Sequence, residues 1–268
     1  MEVNSSDTEE AKAQPELSIL IPVRNETLNL RIMIRIINAA LRCPHEILVI
    51  YDDPEDESIA VIEESKREFN NVMQVFNEDG VGVANAIRAG VQRSEGERVL
   101  IFAADEVGPV LAVEDMMALM DDGCAFVSCT RYAHGGRRLG GSLIGHALSY
   151  LANKLLNTIS SISLTDSTTG IKMFKRDDFA RLVRDANSVG WAVAFEMAVN
   201  AQILGLKLGE VPIISIDRLF GGKSTFRLVP WVLGYMHFFL LAVRKVPIWP
   251  FGRRVSVTVR VPINCEVD

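Results

Sequence analysis

The sequence predicts an α/β fold in which a largely parallel sheet lies between two helix layers, an α/β/α sandwich. Three observations predict it. Short apolar runs alternate with amphipathic stretches between residues 17 and 104, the pattern of parallel strands joined by crossover helices. The first run, LSILIPV (17–23), is almost wholly apolar, as expected of a strand covered on both faces. Polar or acidic residues follow each run, and open α/β sheets bind their ligands beyond those strand ends.

In order, TLNLRIMIRIINAALR has helical spacing, EILVIY (46–51) reads as a second strand and ESIAVIEESKREF as a charged amphipathic helix. VMQVF (72–76), the helix VANAIRAGVQR and RVLIFAA (98–104) complete a β-α-β-α-β-α-β series. Beyond it CAFVSCT (124–130) reads as a strand and SLIGHALSYLANKLLNTI (142–159) as a long amphipathic helix. IKMF (171–174) is a short strand, AFEMAVNAQIL a helix and KLGEVPIISI (207–216) a single strand. RVSVTVRV then alternates strictly, with Val255, Val257, Val259 and Val261 on one face, which is the period of a half-buried or edge strand. No repeat or low-complexity linker divides the chain. The expected organisation is a leader (1–16), one domain (17–227), an apolar segment (228–252) and a strand-like tail (253–268) whose edge is a candidate for pairing in a homo-oligomer.

The 268 residues carry 28 Lys+Arg against 34 Asp+Glu, a net charge of −6, which argues against a nucleic-acid binder. The distribution says more than the total. Eight basic side chains and no acid fall between residues 218 and 260, beside an uncharged run at 228–243. Such a block suits phosphate or an anionic surface. The first sixteen residues hold five acids and one Lys without an apolar core, a disordered leader and not a signal peptide. Cys43, Cys124, Cys129 and Cys265 lack metal-site or framework spacing, as for reduced cytosolic thiols. No run reaches the roughly 18–20 apolar residues of a spanning helix.

At the strand ends stand Pro22-Val23-Arg24-Asn25-Glu26, then Asp52-Asp53 within YDDPEDES, then Asn77 before GVGVANAIRAG, and finally Asp105. Carboxylates converging on one sheet edge repel unless a cation or hydrogen-bond donors lie between them. A divalent metal with a nucleotide meets that need; the alternative is that Asp52 and Asp53 simply open a turn. Gly80-Val81-Gly82 precedes a helix, but position 85 is Asn and the loop belongs to the third βα unit. It reads better as a tight turn than as a dinucleotide fingerprint.

Together, PVRNE, YDDPEDES, GVGVANAIRAG, FAAD, CTRYAHGGRR, DSTTGIKMF and DRLFGGKSTF resemble, in order, the motifs of family-2 glycosyltransferases of the Rossmann-like GT-A fold. The likeness is greatest to the dolichyl- or polyprenyl-phosphate sugar synthases and runs over residues 17–243. It implies that Pro22, Asn25, Glu26, Asp52 and Asp53 line the base and ribose pocket, with Gly82 at its edge. It implies that Asp105 reaches Mg2+ or Mn2+ and the donor diphosphate, with Glu106 beside it. Arg131, Arg137 and Arg138 would face the acceptor, and Arg218, Lys223 and Ser224 would close over phosphates. Two departures stand out. Ala103 replaces the first acid of the family's DxD motif, and the phosphate loop has an extra residue at Gly221-Gly222.

The resemblance implies hexose transfer with inversion from a nucleoside-diphosphate sugar (GDP- or UDP-linked) to a polyprenyl-phosphate or related lipid or glycan acceptor. An anionic phosphate can attack unaided. A hydroxyl needs a base, for which Glu196 and Asp166 are the candidates. The run 228–243, with Trp231, Tyr235, Phe238 and Phe239 between basic flanks, suits either a helix in the interface of the cytoplasmic membrane face or a buried helix. Other readings remain open: a nucleotidyltransferase, though no GxGTR-type loop follows the first strand, and a nucleotide-sugar-binding relative without activity, which Ala103 would explain.

Overall fold

A computed structural model of the chain describes residues 14–140, 143–184, 190–216, 228–246 and 255–262. The leader up to residue 13, the loop with Arg218, Lys223 and Ser224, and the tail from residue 263 lie outside the described residues.

The first half follows the sequence pattern closely. β1 (Leu17–Pro22), β2 (His45–Tyr51), β3 (Val72–Phe76) and β4 (Arg98–Ile101) alternate with α1 (Thr27–Ala40), α2 (Ser58–Glu68) and α3 (Val83–Arg93). Ile19, Leu20 and Ile21 of β1 and Ile47 to Ile50 of β2 are fully buried because helices cover both faces, and burial of a large aliphatic side chain contributes about 1.5–3 kcal/mol. A 3-10 turn (Gly108–Ala112) leads into α4 (Val113–Asp121), an element the sequence reading did not anticipate.

The second half is β5 (Phe126–Thr130), β6 (Arg137–Leu139), α5 (Leu143–Ile159), β7 (Lys172–Lys175), α6 (Phe179–Leu182), α7 (Ala192–Ile203), β8 (Leu208–Pro212), β9 (Ile214–Ile216), α8 (Leu228–Lys245) and β10 (Val257–Val259). The expected single strand at 207–216 is two strands in different sheets. Pro212 has no N–H for a ladder, and the chain turns away after it. β9 then pairs in parallel with β6 to form a small separate sheet.

The main sheet has the order β10-β8-β5-β7-β4-β1-β2-β3. β1 pairs in parallel with β2 on one side and with β4 on the other, so the order reverses beside β1 and opens a crevice beyond its carboxyl end. β7 runs antiparallel between β4 and β5. β10, only three residues long, pairs with β8 at the edge. Helix α8 packs on α7 and α5 through Phe238, Ala242 and Val246, which join Leu156, Phe195 and Val199 in a separate apolar cluster.

Candidate active site

The crevice beyond β1 and β2 is built by side chains that hold backbone. Asp56, buried after β2, accepts the Asn25 N–H on both carboxylate oxygens (3.1 Å each) and the Ser58 N–H (2.7 Å). Ser58 Oγ accepts the Glu26 N–H at 2.8 Å, and Asn25 Oδ1 accepts the Glu57 N–H at 3.2 Å. Asn25 takes φ 55°, a left-handed conformation that Asn tolerates better than most residues. Two distant turns are thereby clamped together. Asp52 accepts the Gly82 N–H at 2.8 Å, tying the second strand end to the glycine turn, where Gly82 adopts φ 122°. Pro22, Glu26, Asp52 and Asp53 remain half-buried along this crevice and Asn25 is exposed. Asp56 and Ser58 were missed in the sequence, although both stand in the DDPEDES turn.

Beyond β4, Asp105 and Glu106 are half-buried in a turn. The buried Ser215 of β9 donates its hydroxyl to Glu106. At Gly108 a Cβ would lie 2.0 Å from the Ile214 carbonyl oxygen, so only glycine lets this turn rest against β9, which leads toward residue 218. Glu106, expected at the metal, is therefore engaged with β9. Among the described residues no group of three or more His, Cys, Asp or Glu side chains could hold a metal alone. A divalent ion fits the donor set as one carboxylate, Asp105, completed by substrate phosphates and water, which Mg2+ accepts.

On the other side of the crevice, β5 ends at Thr130 and Arg131. Arg131 and Asp166 form an ion pair with Nε at 2.7 Å and Nη2 at 3.0 Å from the two carboxylate oxygens. Asp166, fully buried, also accepts from the backbone of Arg131, Thr168 and Thr169, from the Thr168 hydroxyl and from Asn153 Nδ2. Burial alone would raise its pKa, but the Arg131 guanidinium, together with Lys172 and the Thr168 hydroxyl, holds the carboxyl below the usual carboxylate range. The same pair raises Arg131, again against the effect of burial. Asp166, one of two candidate bases for an acceptor hydroxyl, is thus engaged by Arg131 and by all these donors. Glu196 is likewise buried inside α7, where Oε1 accepts the Arg184 N–H at 2.6 Å. Arg131, expected at the acceptor, commits Nε and Nη2 to the protein, and Nη1 makes no hydrogen bond among the described residues. Its guanidinium lies 5.2 Å from the centre of the Tyr132 ring.

Two further buried charges escaped the sequence reading. Lys172 of β7 donates to Ser128 Oγ at 2.6 Å, and burial pulls its pKa down to about 8, partly offset by Asp166. Glu210 of β8 accepts the Thr165 N–H at 2.7 Å and the Asp166 N–H at 3.2 Å. Burial pushes Glu210 up to about 7. A charged residue inside a short apolar run, as in IKMF and LGEVP, is the signal that could have found both.

Arg137 and Arg138 fall on β6, exposed and half-buried respectively, and pair with Ile214 and Ser215 of β9. Two of the three arginines expected at the acceptor thus stand on a short strand. Following it, α5 shows Leu143, Leu148, Leu151 and Leu155 at 43–86% exposure, and neither α5 nor α8 contains an acid. Met236 and Leu240 of α8 are about half exposed, and Arg244 and Lys245 close that helix. The apolar segment expected to meet a surface is therefore partly buried against α7, and the larger exposed apolar face belongs to α5. No described helix is long and apolar enough to cross a membrane.

Comparison with known proteins agrees with this layout. The profile of glycosyl transferase family 2 matches residues 18–183. A dolichol-phosphate mannosyltransferase of Mycosarcoma maydis is 24% identical over 74% of this chain and 69% of its own length. An undecaprenyl-phosphate 4-deoxy-4-formamido-L-arabinose transferase of Klebsiella pneumoniae is 24% identical over 80% of this chain, which spans only 64% of that relative. Among solved structures, glucosyl-3-phosphoglycerate synthase from Mycobacterium tuberculosis, in complex with Mn2+, UDP and phosphoglyceric acid, superposes with a TM-score of 0.64 at 16% identity, covering 88% of this chain and 81% of that one.

Proposed function

This chain belongs to glycosyl transferase family 2, and on that premise we propose that it transfers a hexose, with inversion, from a nucleoside-diphosphate sugar to a polyprenyl phosphate. The observation that carries the acceptor class is the state of the two candidate bases. Asp166 is saturated with donors and Glu196 is buried under a backbone N–H. An acceptor hydroxyl would need one of them; an ionised phosphate needs neither. The relatives that act on dolichol phosphate and undecaprenyl phosphate support the same class.

In this reading a phosphate oxygen of the acceptor attacks the anomeric carbon as the bond to the diphosphate oxygen breaks. The electron pair leaves with the nucleoside diphosphate. Pro22, Asn25, Glu26, Asp52 and Asp53 line the nucleoside part of the crevice, with Gly82 closing its edge. Asp105 would hold Mg2+ or Mn2+, which when bound neutralises charge on the departing diphosphate. Arg131, through Nη1, with Arg137 and Arg138, draws in the acceptor phosphate. Arg218, Lys223 and Ser224 close over the donor phosphates.

The membrane part of the reading rests on composition and exposure together. In a chain of net charge −6, the exposed faces of α5 and α8 offer leucines and no acid, with Lys154, Arg244 and Lys245 as the cations. That combination suits peripheral binding at the cytoplasmic face, in the plane of an anionic bilayer. The test supplies labelled UDP- and GDP-sugars with Mg2+ or Mn2+ and either polyprenyl phosphate or phosphoglycerate. Label is expected in the organic phase as sugar-phosphate lipid. Label only in phosphoglycerate would replace the lipid acceptor with a soluble one, and no label anywhere would leave a nucleotide-sugar-binding relative. Flotation with anionic vesicles tests the surface.

A further inference from the structure

Glu210 has no part in the chemistry above, yet it occupies the centre of the acceptor side. It lies on β8 at 1% exposure, in register with Ser128 of β5, which is itself in register with Lys172 of β7. The three residues form one row across adjacent strands, too deep to touch a substrate. Glu210 Oε1 accepts the backbone N–H groups of Thr165 and Asp166, and both its oxygens lie 3.1 Å from the Thr165 hydroxyl. The Thr165 and Thr130 hydroxyls are 2.7 Å apart, and Thr130 Oγ1 accepts the Tyr132 N–H at 3.3 Å. Because a carboxylate only accepts, the proton order follows: Thr165 donates to Glu210, and Thr130 donates to Thr165.

We propose that Glu210 is a positioning residue for acceptor binding, holding from behind the two segments that carry Arg131 and Asp166. The argument is geometric. Thr130 ends β5, paired with Pro212 of β8, and residues 131–132 follow it; residues 165–169 precede β7. Arg131 and residues 165–169 lie outside the strand ladders of the main sheet. The Arg131–Asp166 pair joins them at the surface of the site, and Glu210 joins them from the interior. Arg131 is thus fixed at both ends of its short segment, and Nη1 keeps one direction. Lys172, in the same row, lies on the far side of Ser128 from Glu210.

This inference rests on Arg131 facing the acceptor phosphate, and the experiment separates the two claims. Glu210→Ala removes the acceptor of the Thr165 and Asp166 N–H groups and of the Thr165 hydroxyl, and should raise the acceptor KM about tenfold through the loosened hold on Arg131. UDP or GDP binding by titration, which depends on the other side of the crevice, should stay unchanged. Glu210→Gln keeps an acceptor oxygen for the same N–H groups and should restore the wild-type KM. A folded Glu210→Ala protein with unchanged acceptor KM overturns the proposal, as does an equal loss of donor affinity or a failure of Gln to rescue. Should Glu210→Ala not fold, Thr130→Val breaks the hydroxyl chain and the Tyr132 N–H contact while leaving Glu210 in place; a severalfold rise in acceptor KM supports the proposal and no change overturns it. Should the wild-type protein transfer no sugar to polyprenyl phosphate, the functional reading fails. Amide exchange at Thr168 and Thr169 then decides: acceleration in Glu210→Ala, reversed in Glu210→Gln, supports positioning, and unaltered exchange overturns it.

Discussion

The two sides of the crevice handle charge in opposite ways. Beyond β1, β2 and β4 the acids Glu26, Asp52, Asp53 and Asp105 remain half-buried and open to solvent, and the buried acid among them, Asp56, spends its oxygens on backbone N–H groups. Beyond β5, β7 and β8 the acids Asp166 and Glu210 are buried together with Lys172, and Arg131 is half-buried against them. The first arrangement keeps its carboxylates within reach of solvent, as the proposed donor site requires. The second has already neutralised its charge internally and offers shape: fixed hydroxyls, a fixed guanidinium and an aromatic ring. A carboxylate on the donor side should therefore matter to turnover with little effect on stability, and one on the acceptor side should matter to both.

The largest expected effect sharpens that contrast. Asp105→Asn should lower sugar transfer by about a thousandfold or more, since it removes the carboxylate proposed to hold the ion on the departing diphosphate. Its melting temperature should stay within a few degrees of wild type, because the side chain is half-exposed. Transfer rate and a thermal melt on the same preparation check both halves. A variant that melts early would break the comparison.

Asp166→Asn attacks the other side. The amide keeps the shape but leaves Arg131 buried without its counter-charge, a change that costs about 3–5 kcal/mol. In a chain of this size each kcal/mol shifts the melting temperature by about 2–4 °C, so a fall of roughly 6–20 °C is expected together with loss of transfer. An unchanged melting temperature would show that the pair is solvated, and the contrast between the two sides would disappear.

The donor side was the more legible in the sequence, for a physical reason. Its strands are covered on both faces, so they read as unbroken apolar runs, and its helices carry the period of one buried face. VANAIRAGVQR matches α3 to the residue. The acceptor side depends on contacts distant in sequence. β6 and β9 are three-residue strands that exist because they pair across more than seventy positions; neither has enough residues to show a period. Pro212 ended β8 where an apolar pattern continued. Arg131 and Asp166 were both picked out, but sequence spacing gives no sign that they bind each other. The exposed leucines of α5 show the same limit. Its amphipathic pattern was visible, but which face the fold would cover was not.

The acceptor side should also announce itself in the pH dependence of stability. Burial raises the Glu210 pKa to about 7 from its ordinary 4.5, so its contribution is fully present below about 4.5 and is lost as pH rises through about 7. Burial lowers Lys172 to about 8 from 10.5; its contribution is present above 10.5 and is lost as pH falls through about 8. The two together place a minimum between about pH 7 and 8. Thermal melts across this range should show stability falling from pH 5 to 7 and recovering above 8. Glu210→Gln should abolish the fall and leave the recovery. Asp166, with its pKa lowered, adds stability that is lost only as pH falls below the ordinary carboxylate range.

The smallest effect belongs to charge pairs that resemble the buried ones in chemistry and differ only in exposure. Arg31 of α1 and Glu64 of α2 form an ion pair between the two helices that cover the donor side of the sheet, with side chains 42% and 48% exposed. Solvent screens such a pair, and ordering two long side chains offsets most of what the attraction contributes, leaving about 0–1 kcal/mol. Glu64→Gln removes the charge and keeps the shape, so the melting temperature should move by less than about 3 °C. Raising the salt concentration should shrink even that difference, since exposed charges are screened over a Debye length of about 10 Å at 0.1 M. The same salt should change the Asp166→Asn deficit far less, because Asp166 is fully buried and the Arg131 side chain only 10% exposed. A deficit in Asp166→Asn that fades with salt would place Arg131 and Asp166 in solvent and remove the distinction between the two sides.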